Sequence, residues 1–290
     1  MTRLATKLSR RELIRGITVT PLALGALARL EAQGANLPIG VQLFTLRNDL
    51  EKDLPAVLKQ VGAAGYKYIE FYVPFYFTWT LDQTKEIRMQ MEDADLRCTS
   101  THNTMDAFTG EIGKAIELNQ TLGSRYVVSA RRPMIANLDG WKSVADALNK
   151  GNEKLRDAGL RAAYHNTAVE WKPLEGKKPM EVLMDNTDRS FGHQLDVGTC
   201  VAAGTDPVAW IKAHPGRVRS LHLKDWSPEK EYGVLFGQGK APWREIFMAA
   251  EDKGGAEFYV IEQEMSVEPP LEAVRQDLAR YRTLRQEMGR

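Results

Sequence analysis

Residues 191–225 read FGHQLDVGTCVAAGTDPVAWIKAHPGRVRSLHLKD. Two short strand-like runs, Phe191–Leu195 and Val218–Leu223, flank a segment of helical character, Pro207–Ala213. A strand, a helix and a second strand at this spacing call for parallel strands joined by a right-handed crossover. Both runs end in polar residues: Asp196 after the first, His222 with Lys224-Asp225 at the second.

The alternation extends in both directions. From residue 38 onward it predicts strands at Ile39–Phe44, Tyr68–Phe71, Arg97–Thr101, Tyr126–Ser129, Arg161–Tyr164, Phe191–Leu195, Val218–Leu223 and Phe258–Gln263. Helical periods fill the intervals at Leu54–Ala64, Gln83–Asp93, Ile112–Leu122, Trp141–Ala158, Pro179–Met184, Pro207–Ala213, Trp243–Asp252 and Leu271–Met288. Eight such pairs close naturally into a (β/α)₈ TIM barrel, an α/β fold of one domain. An open doubly wound sheet would be expected to carry a glycine-rich phosphate loop after its first strand. Here that strand runs into Thr45-Leu46-Arg47-Asn48, and no G-x-G-x-x-G or Walker pattern follows any strand.

The chain has 290 residues, 43% of them hydrophobic, enough for one large core. Its 39 basic and 38 acidic residues are scattered, so nothing marks a nucleic-acid or membrane partner, and a small-molecule carbohydrate fits better. Cys98 and Cys200 lie in separate apolar neighbourhoods and read as buried thiols. Residues 1–34 read as a twin-arginine signal peptide and linker. Ser9-Arg10-Arg11-Glu12-Leu13-Ile14 precedes the modest apolar stretch Gly16 to Leu27, and Ala26 and Ala28 have cleavage-site spacing. That predicts a periplasmic or exported protein with no membrane span, its barrel occupying 35–290.

Barrel active sites form at the carboxyl ends of the strands. There the sequence places Glu70; His102-Asn103; His165-Asn166 with Glu170; Asp196; His222 with Lys224-Asp225; and Glu262 with Gln263-Glu264. An isolated acid at a strand end ordinarily caps the next helix or pairs with a base. Acids and histidines at equivalent places on consecutive strands argue for a shared cation. Glu170, Asp196, His222 and Glu262 are the predicted ligands of a divalent metal: Mn²⁺, Mg²⁺, Co²⁺, Fe²⁺ or Zn²⁺.

At these residues the chain resembles the xylose isomerase-like barrel superfamily of sugar phosphate isomerases and epimerases, which includes inosose dehydratases. The matching stretches are Tyr164-His165-Asn166, Glu170-Trp171, Gln194-Leu195-Asp196-Val197-Gly198, Gly204-Thr205-Asp206-Pro207, Leu221-His222-Leu223-Lys224-Asp225, Phe236-Gly237-Gln238-Gly239 and Val260-Ile261-Glu262-Gln263-Glu264. The resemblance implies a metal held by carboxylates of strands five, six and eight and the histidine of strand seven. Similar enzymes often carry the strand-five glutamate where this chain has Ala163, so if Glu170 does not reach the ion, His165 or a water completes the shell.

The expected chemistry is proton transfer next to the carbonyl of a sugar or keto-sugar, giving isomerisation or epimerisation. Loss of a β substituent, a lyase or hydratase outcome, is the alternative enzyme reading. A sugar-binding barrel without turnover is the alternative of another class. Glu170 and Glu262 are the expected proton carriers on opposite faces of the carbon, with His165 and Lys224 assisting. His102, Glu70, Asn166 and Asp225 are expected to bind substrate. The aromatic run Phe71–Trp79 is expected either to wall the sugar or to meet the second subunit of a homodimer.

Overall fold

In the computed structural model, which describes residues 37–131, 134–266 and 268–290, eight parallel strands form a closed barrel. The residues read as an export signal lie outside the described residues. The strands are β1 (Ile39–Gln42), β2 (Tyr68–Tyr72), β3 (Arg97–Thr104), β4 (Tyr126–Arg131), β5 (Arg161–His165), β6 (Gly192–Asp196), β7 (Val218–Leu223) and β8 (Phe258–Ile261). Each pairs with the next in sequence, and β8 returns to β1. The main helices are α1 (Leu54–Ala63), α2 (Leu81–Asp93), α3 (Ile112–Leu122), α4 (Leu138–Asp157), α5 (Pro179–Asn186), α6 (Pro207–Ala213), α7 (Trp243–Ala249) and α8 (Pro270–Glu287).

Side chains alternate across each strand, and that alternation builds two compartments. Val41, Ile69, Phe71, Val127, Ala162, Tyr164, Leu195, Leu221 and Tyr259 join the core shared with the helices. Burying each side chain of this size contributes about 2 kcal/mol. A separate cluster of Tyr126, Val128, Ala163, Phe258 and Val260 holds the opposite parity of β4, β5 and β8. On that same parity, further toward the carboxyl ends, come the polar residues Gln42, Glu70, His165, Gln194 and Asp196, all buried.

Two register shifts complete the polar layer. The pairing jumps from Ile69↔Cys98 to Glu70↔Ser100, and from His193↔Val218 to Gln194↔Ser220. An extra residue on β3 and another on β7 turn each strand, re-aiming the following side chains. Beyond these bulges, Ser100, His102, Ser220 and His222 are buried together with the polar layer.

Some strand ends differ from their sequence-based bounds. β1 ends at Gln42 because the Gln42 side chain accepts the Phe44 N–H at 3.1 Å and the chain turns into a 3₁₀ segment, Leu43–Leu46. β3 runs on to Thr104, since His102 and Asn103 find buried polar partners and need not end the strand. α3 ends on a glycine: Gly123 caps that helix in the left-handed conformation, at φ 74°. Cys98 and Cys200 are free and buried, as expected, and burial pushes the Cys98 thiol up to about 12. Among the described residues no helix is long and apolar enough to cross a membrane.

On α8, Asp277 is 1% exposed and accepts the Phe236 N–H at 2.8 Å. Burial raises its carboxyl from 3.8 to about 7. A raised folded-state value means that stability present at low pH is lost as the pH climbs through about 7. Asp277→Asn keeps the acceptor and removes the charge. Its melting temperature is therefore expected to exceed the parent's by about 3 °C or more at pH 8, with the gain shrinking at pH 5.5. An equal gain at both values would contradict this.

Candidate metal centre and active-site cavity

At the carboxyl end of the barrel a cavity of about 350 Å³ opens above the polar layer. Phe44, Tyr72, Val73 and Tyr232 supply its apolar and aromatic lining; His102, His165, Asp196, Lys224, Glu262 and Glu264 supply the polar one. Phe44 and Tyr72 meet edge to face, with centroids 5.1 Å apart, and Phe75 stacks behind Tyr72 at 5.7 Å. Phe71 and Tyr76 of the same aromatic run are fully buried. The predicted aromatic wall thus combines core anchors with a face toward the cavity.

Below the cavity lies Glu70, fully buried and absent from the lining. Its Oε1 accepts from Gln42 Nε2 at 2.7 Å and from His222 Nε2 at 2.7 Å, with His102 Nε2 at 3.0 Å. Its Oε2 accepts from Gln194 Nε2 at 2.8 Å and from the Ser100 hydroxyl. Burial works to raise this carboxyl, but the imidazoles of His102 and His222 outweigh it and hold the group well below the usual carboxylate range. Glu70 is therefore an organiser of the histidines, and it lies beneath the cavity rather than in the lining where a contact with substrate was expected.

His165, Asp196, His222 and Glu262 each present one ligand atom, all within 4.8 Å of one another and all buried. His222 Nδ1 is 3.2 Å from Glu262 Oε2, while its Nε2–H is held by Glu70. A carboxylate behind an imidazole is the usual support for a metal-binding histidine, and it leaves Nδ1 for an ion. Asp196 Oδ1 accepts the Thr199 N–H at 2.9 Å, capping a short helix, Val197–Ala202. Asp196 Oδ2 is buried and makes no hydrogen bond. Its neighbour is the Lys224 ammonium at 2.6 Å, close enough for strong attraction but off the angles of a hydrogen bond. A buried carboxylate oxygen aimed at two imidazoles and another carboxylate is what a dication requires, so these residues fit a metal.

Lys224 also lies 3.2 Å from Glu262 Oε2 and 2.9 Å from Glu264 Oε1. Burial works against its charge, yet Asp196, Glu262 and Glu264 hold it protonated well above the usual range. Burial pushes the Glu262 carboxyl up, and Lys224 and His222 more than reverse that. Glu264 is raised, by the negative charge of Glu262 and then by burial. Burial, followed by His102 and His222, drives His165 well below its usual value, so its ring is neutral.

Three predicted site residues are engaged elsewhere. Glu170 stands outside the ligand cluster: its carboxylate accepts from Tyr164 Oη at 2.8 Å and from the N–H and hydroxyl of Thr167, both at 2.7 Å. Tyr164 points out of the barrel, and Trp171 packs edge-on against Trp210 of α6 at 4.8 Å, so the loop lines the cavity at Thr167 and Ala168 and then turns away from it. Asp225 is a loop organiser, accepting N–H groups of Trp226, Gly237, Gly239 and Ala241 and the indole of Trp243. A Cβ at Gly239 would come within 2.1 Å of its Oδ1, so only glycine allows that approach. Asn166 touches the cavity, but its amide is committed to β6: Nδ2 donates to Asp196 O and Thr199 Oγ1, and Oδ1 accepts from Asp196 N and His193 Nε2.

Sequence reasoning assigned no role to Gln194 or Tyr232. Gln194 Oε1 faces His102 Nε2 at 2.7 Å and His165 Nδ1 at 3.1 Å. Its parity with Asp196 on one strand was the available signal. Tyr232, in the loop that Asp225 ties down, places its ring 5.3 Å from Lys224 Nζ. No sequence signal marks it.

The sequence profile of the xylose isomerase-like TIM barrel family matches residues 58–284. An inosose dehydratase of Clostridium perfringens is 26% identical over 158 residues, 48% of this chain and 52% of that enzyme. The chain thus spans about half the length of the curated relatives it matches. A sugar phosphate isomerase/epimerase of Parabacteroides distasonis superposes with a TM-score of 0.74 at 26% identity, covering 84% of this chain and 93% of that one. The IOLI protein, crystallised with a bound zinc atom, shares the fold at 18% identity, with a TM-score of 0.61 over 84% of this chain and 96% of that one. With the profile covering most of the barrel, the chain belongs to the xylose isomerase-like TIM barrel family.

Proposed function

We propose that this chain is a divalent-metal-dependent enzyme that removes the proton beside the carbonyl of a sugar-derived ketone and expels a β-oxygen group, a carbon–oxygen lyase reaction. The observation that carries this outcome is where the remaining acids lie once Asp196 of β6 is given to the ion. Glu262 and Glu264 both follow β8 and meet at Lys224, while Glu170 is turned out of the barrel. Epimerisation by two opposed carboxylates lacks its second partner. The likeness to inosose dehydratases points the same way.

His165, Asp196, His222 and Glu262 would hold the ion. When bound, it supplies Lewis-acid polarisation of a carbonyl oxygen. Glu264, facing the cavity with a raised carboxyl, is the group able to take the proton and hand it to the departing oxygen on the same face. The C–H pair becomes the new C=C bond as the C–O bond breaks, and the oxygen leaves protonated. Lys224 steadies charge beside Glu264, and the Phe44, Tyr72 and Val73 wall excludes water while packing on the sugar's CH face. Isomerisation, in which the same proton returns to carbon, is the second reading, favoured by the likeness to the Parabacteroides distasonis isomerase/epimerase.

Metal-loaded protein incubated with a keto-inositol, 3-keto-glucosides and free ketohexoses in deuterated water separates the two. We expect loss of the β substituent from at least one of them. Deuterium in recovered ketone without elimination would establish isomerisation instead, and the absence of both elimination and exchange would remove the proton-transfer reading. The export reading of residues 1–34 remains our proposal for location.

A further inference from the structure

We propose that His165 binds the ion through Nε2, in a tautomer imposed by Gln194, and that the resulting pair of imidazoles makes the centre prefer Zn²⁺, Co²⁺ or Fe²⁺ over Mn²⁺ and Mg²⁺. The inference rests on the metal reading above, and its test does not use turnover.

A carboxylate can only accept, so the Gln194 group lying 2.8 Å from Glu70 Oε2 is its NH₂, and Gln194 Oε1 faces the other way. There Oε1 lies 3.1 Å from His165 Nδ1 and 2.7 Å from His102 Nε2. An amide oxygen can only accept, so both ring nitrogens carry hydrogen. With its Nδ1 proton engaged by Gln194, His165 has Nε2 left to offer to an ion. That atom lies 3.7 Å from Asp196 Oδ2, the buried oxygen without a hydrogen bond. Oδ2 is ion-paired with the Lys224 ammonium at 2.6 Å, while the two acceptors facing one another across the gap are too far apart to bond and are placed to share a dication.

β5 offers no other donor on this face. Ala163, two residues earlier, belongs to the apolar cluster inside the barrel, and Glu170 is turned outward. The ligand atoms are therefore two imidazole nitrogens and two carboxylate oxygens. Imidazole suits zinc, cobalt and iron, whereas magnesium and manganese favour oxygen. Gln194 and Glu70 act as positioning residues behind His165 and His222, fixing which nitrogen of each ring is presented.

The test uses the full chain stripped by a chelator and reloaded with each metal. X-ray absorption of the zinc form is expected to show two imidazoles. One should vanish in His165→Glu and none in His102→Gln, which separates His165 from its ring neighbour. Competition titrations should show the zinc-over-manganese preference of His165→Glu reduced about tenfold or more. Gln194→Met, which leaves every ligand in place, should weaken zinc about tenfold or more. A single imidazole in the parent, loss of the second in His102→Gln, or a preference unchanged in His165→Glu overturns the His165 assignment. Unchanged zinc affinity in Gln194→Met overturns the tautomer assignment. If a variant fails to fold, the parent spectrum still decides whether a second imidazole binds, and the remaining variant decides which. An ion bound with one imidazole would defeat this inference alone, whereas no uptake of any ion would also remove the metal reading.

Discussion

An Asp196→Asn protein is expected to keep its barrel and to bind a divalent ion at least about 100-fold more weakly than the parent. Asparagine retains the oxygen that caps the helix at Thr199, the bond now made by Oδ1 at 2.9 Å. In place of Oδ2 it presents an NH₂ group toward His165 and Lys224, turning an acceptor into a donor where a cation belongs. Lys224 keeps Glu262 and Glu264 as partners, so the fold should lose little. Isothermal titration with zinc or manganese, alongside thermal melting, reads the two effects separately. Ion affinity within tenfold of the parent would show that Asp196 is not a ligand.

The second large effect is expected at Glu70, which never touches the cavity. Glu70→Gln places an amide NH₂ among groups that all donate: Gln42, Ser100, Gln194 and the histidines. Breaking a buried ionic network by removing one partner costs about 3 kcal/mol or more. Because His222 and Gln194 lose their anchor together, ion affinity should fall in the same variant. Urea unfolding of the chelator-stripped protein isolates the stability loss. A change smaller than about 1 kcal/mol would mean that the surrounding side chains are held by something other than this carboxylate.

The barrel was legible because each strand–helix pair has its own period, and α3, α6 and β7 match the sequence-based bounds residue for residue. Strand-end chemistry was legible wherever parity decided the matter: Asp196, His222 and Glu262 reach one point because each sits within one residue of a strand's end on its inward face. The same parity implicates Gln194, two residues before Asp196. Glu170 was misjudged for the complementary reason. It follows β5 by several residues, and nothing in a linear reading says whether a loop returns over the mouth of the barrel or folds back against Tyr164 outside it. Asp225 misled differently. It sits beside the cavity in sequence, but the N–H groups that claim it arrive from residues 237–243, after a loop whose path is set only by tertiary packing. The bulges in β3 and β7 have no sequence signature either, yet they decide where His102 and His222 lie.

The ammonium of Lys224 wedged between Asp196 and Glu262 has a consequence for how the protein matures. Without it, newly made chains would have to close the barrel around mutually repelling anions. With a tethered place-holder on hand, the polypeptide can reach its final shape first and exchange an internal cation for a mineral one afterwards. An ion entering this site would displace the ammonium, and its rate of entry would depend on how readily that side chain steps aside toward Glu264.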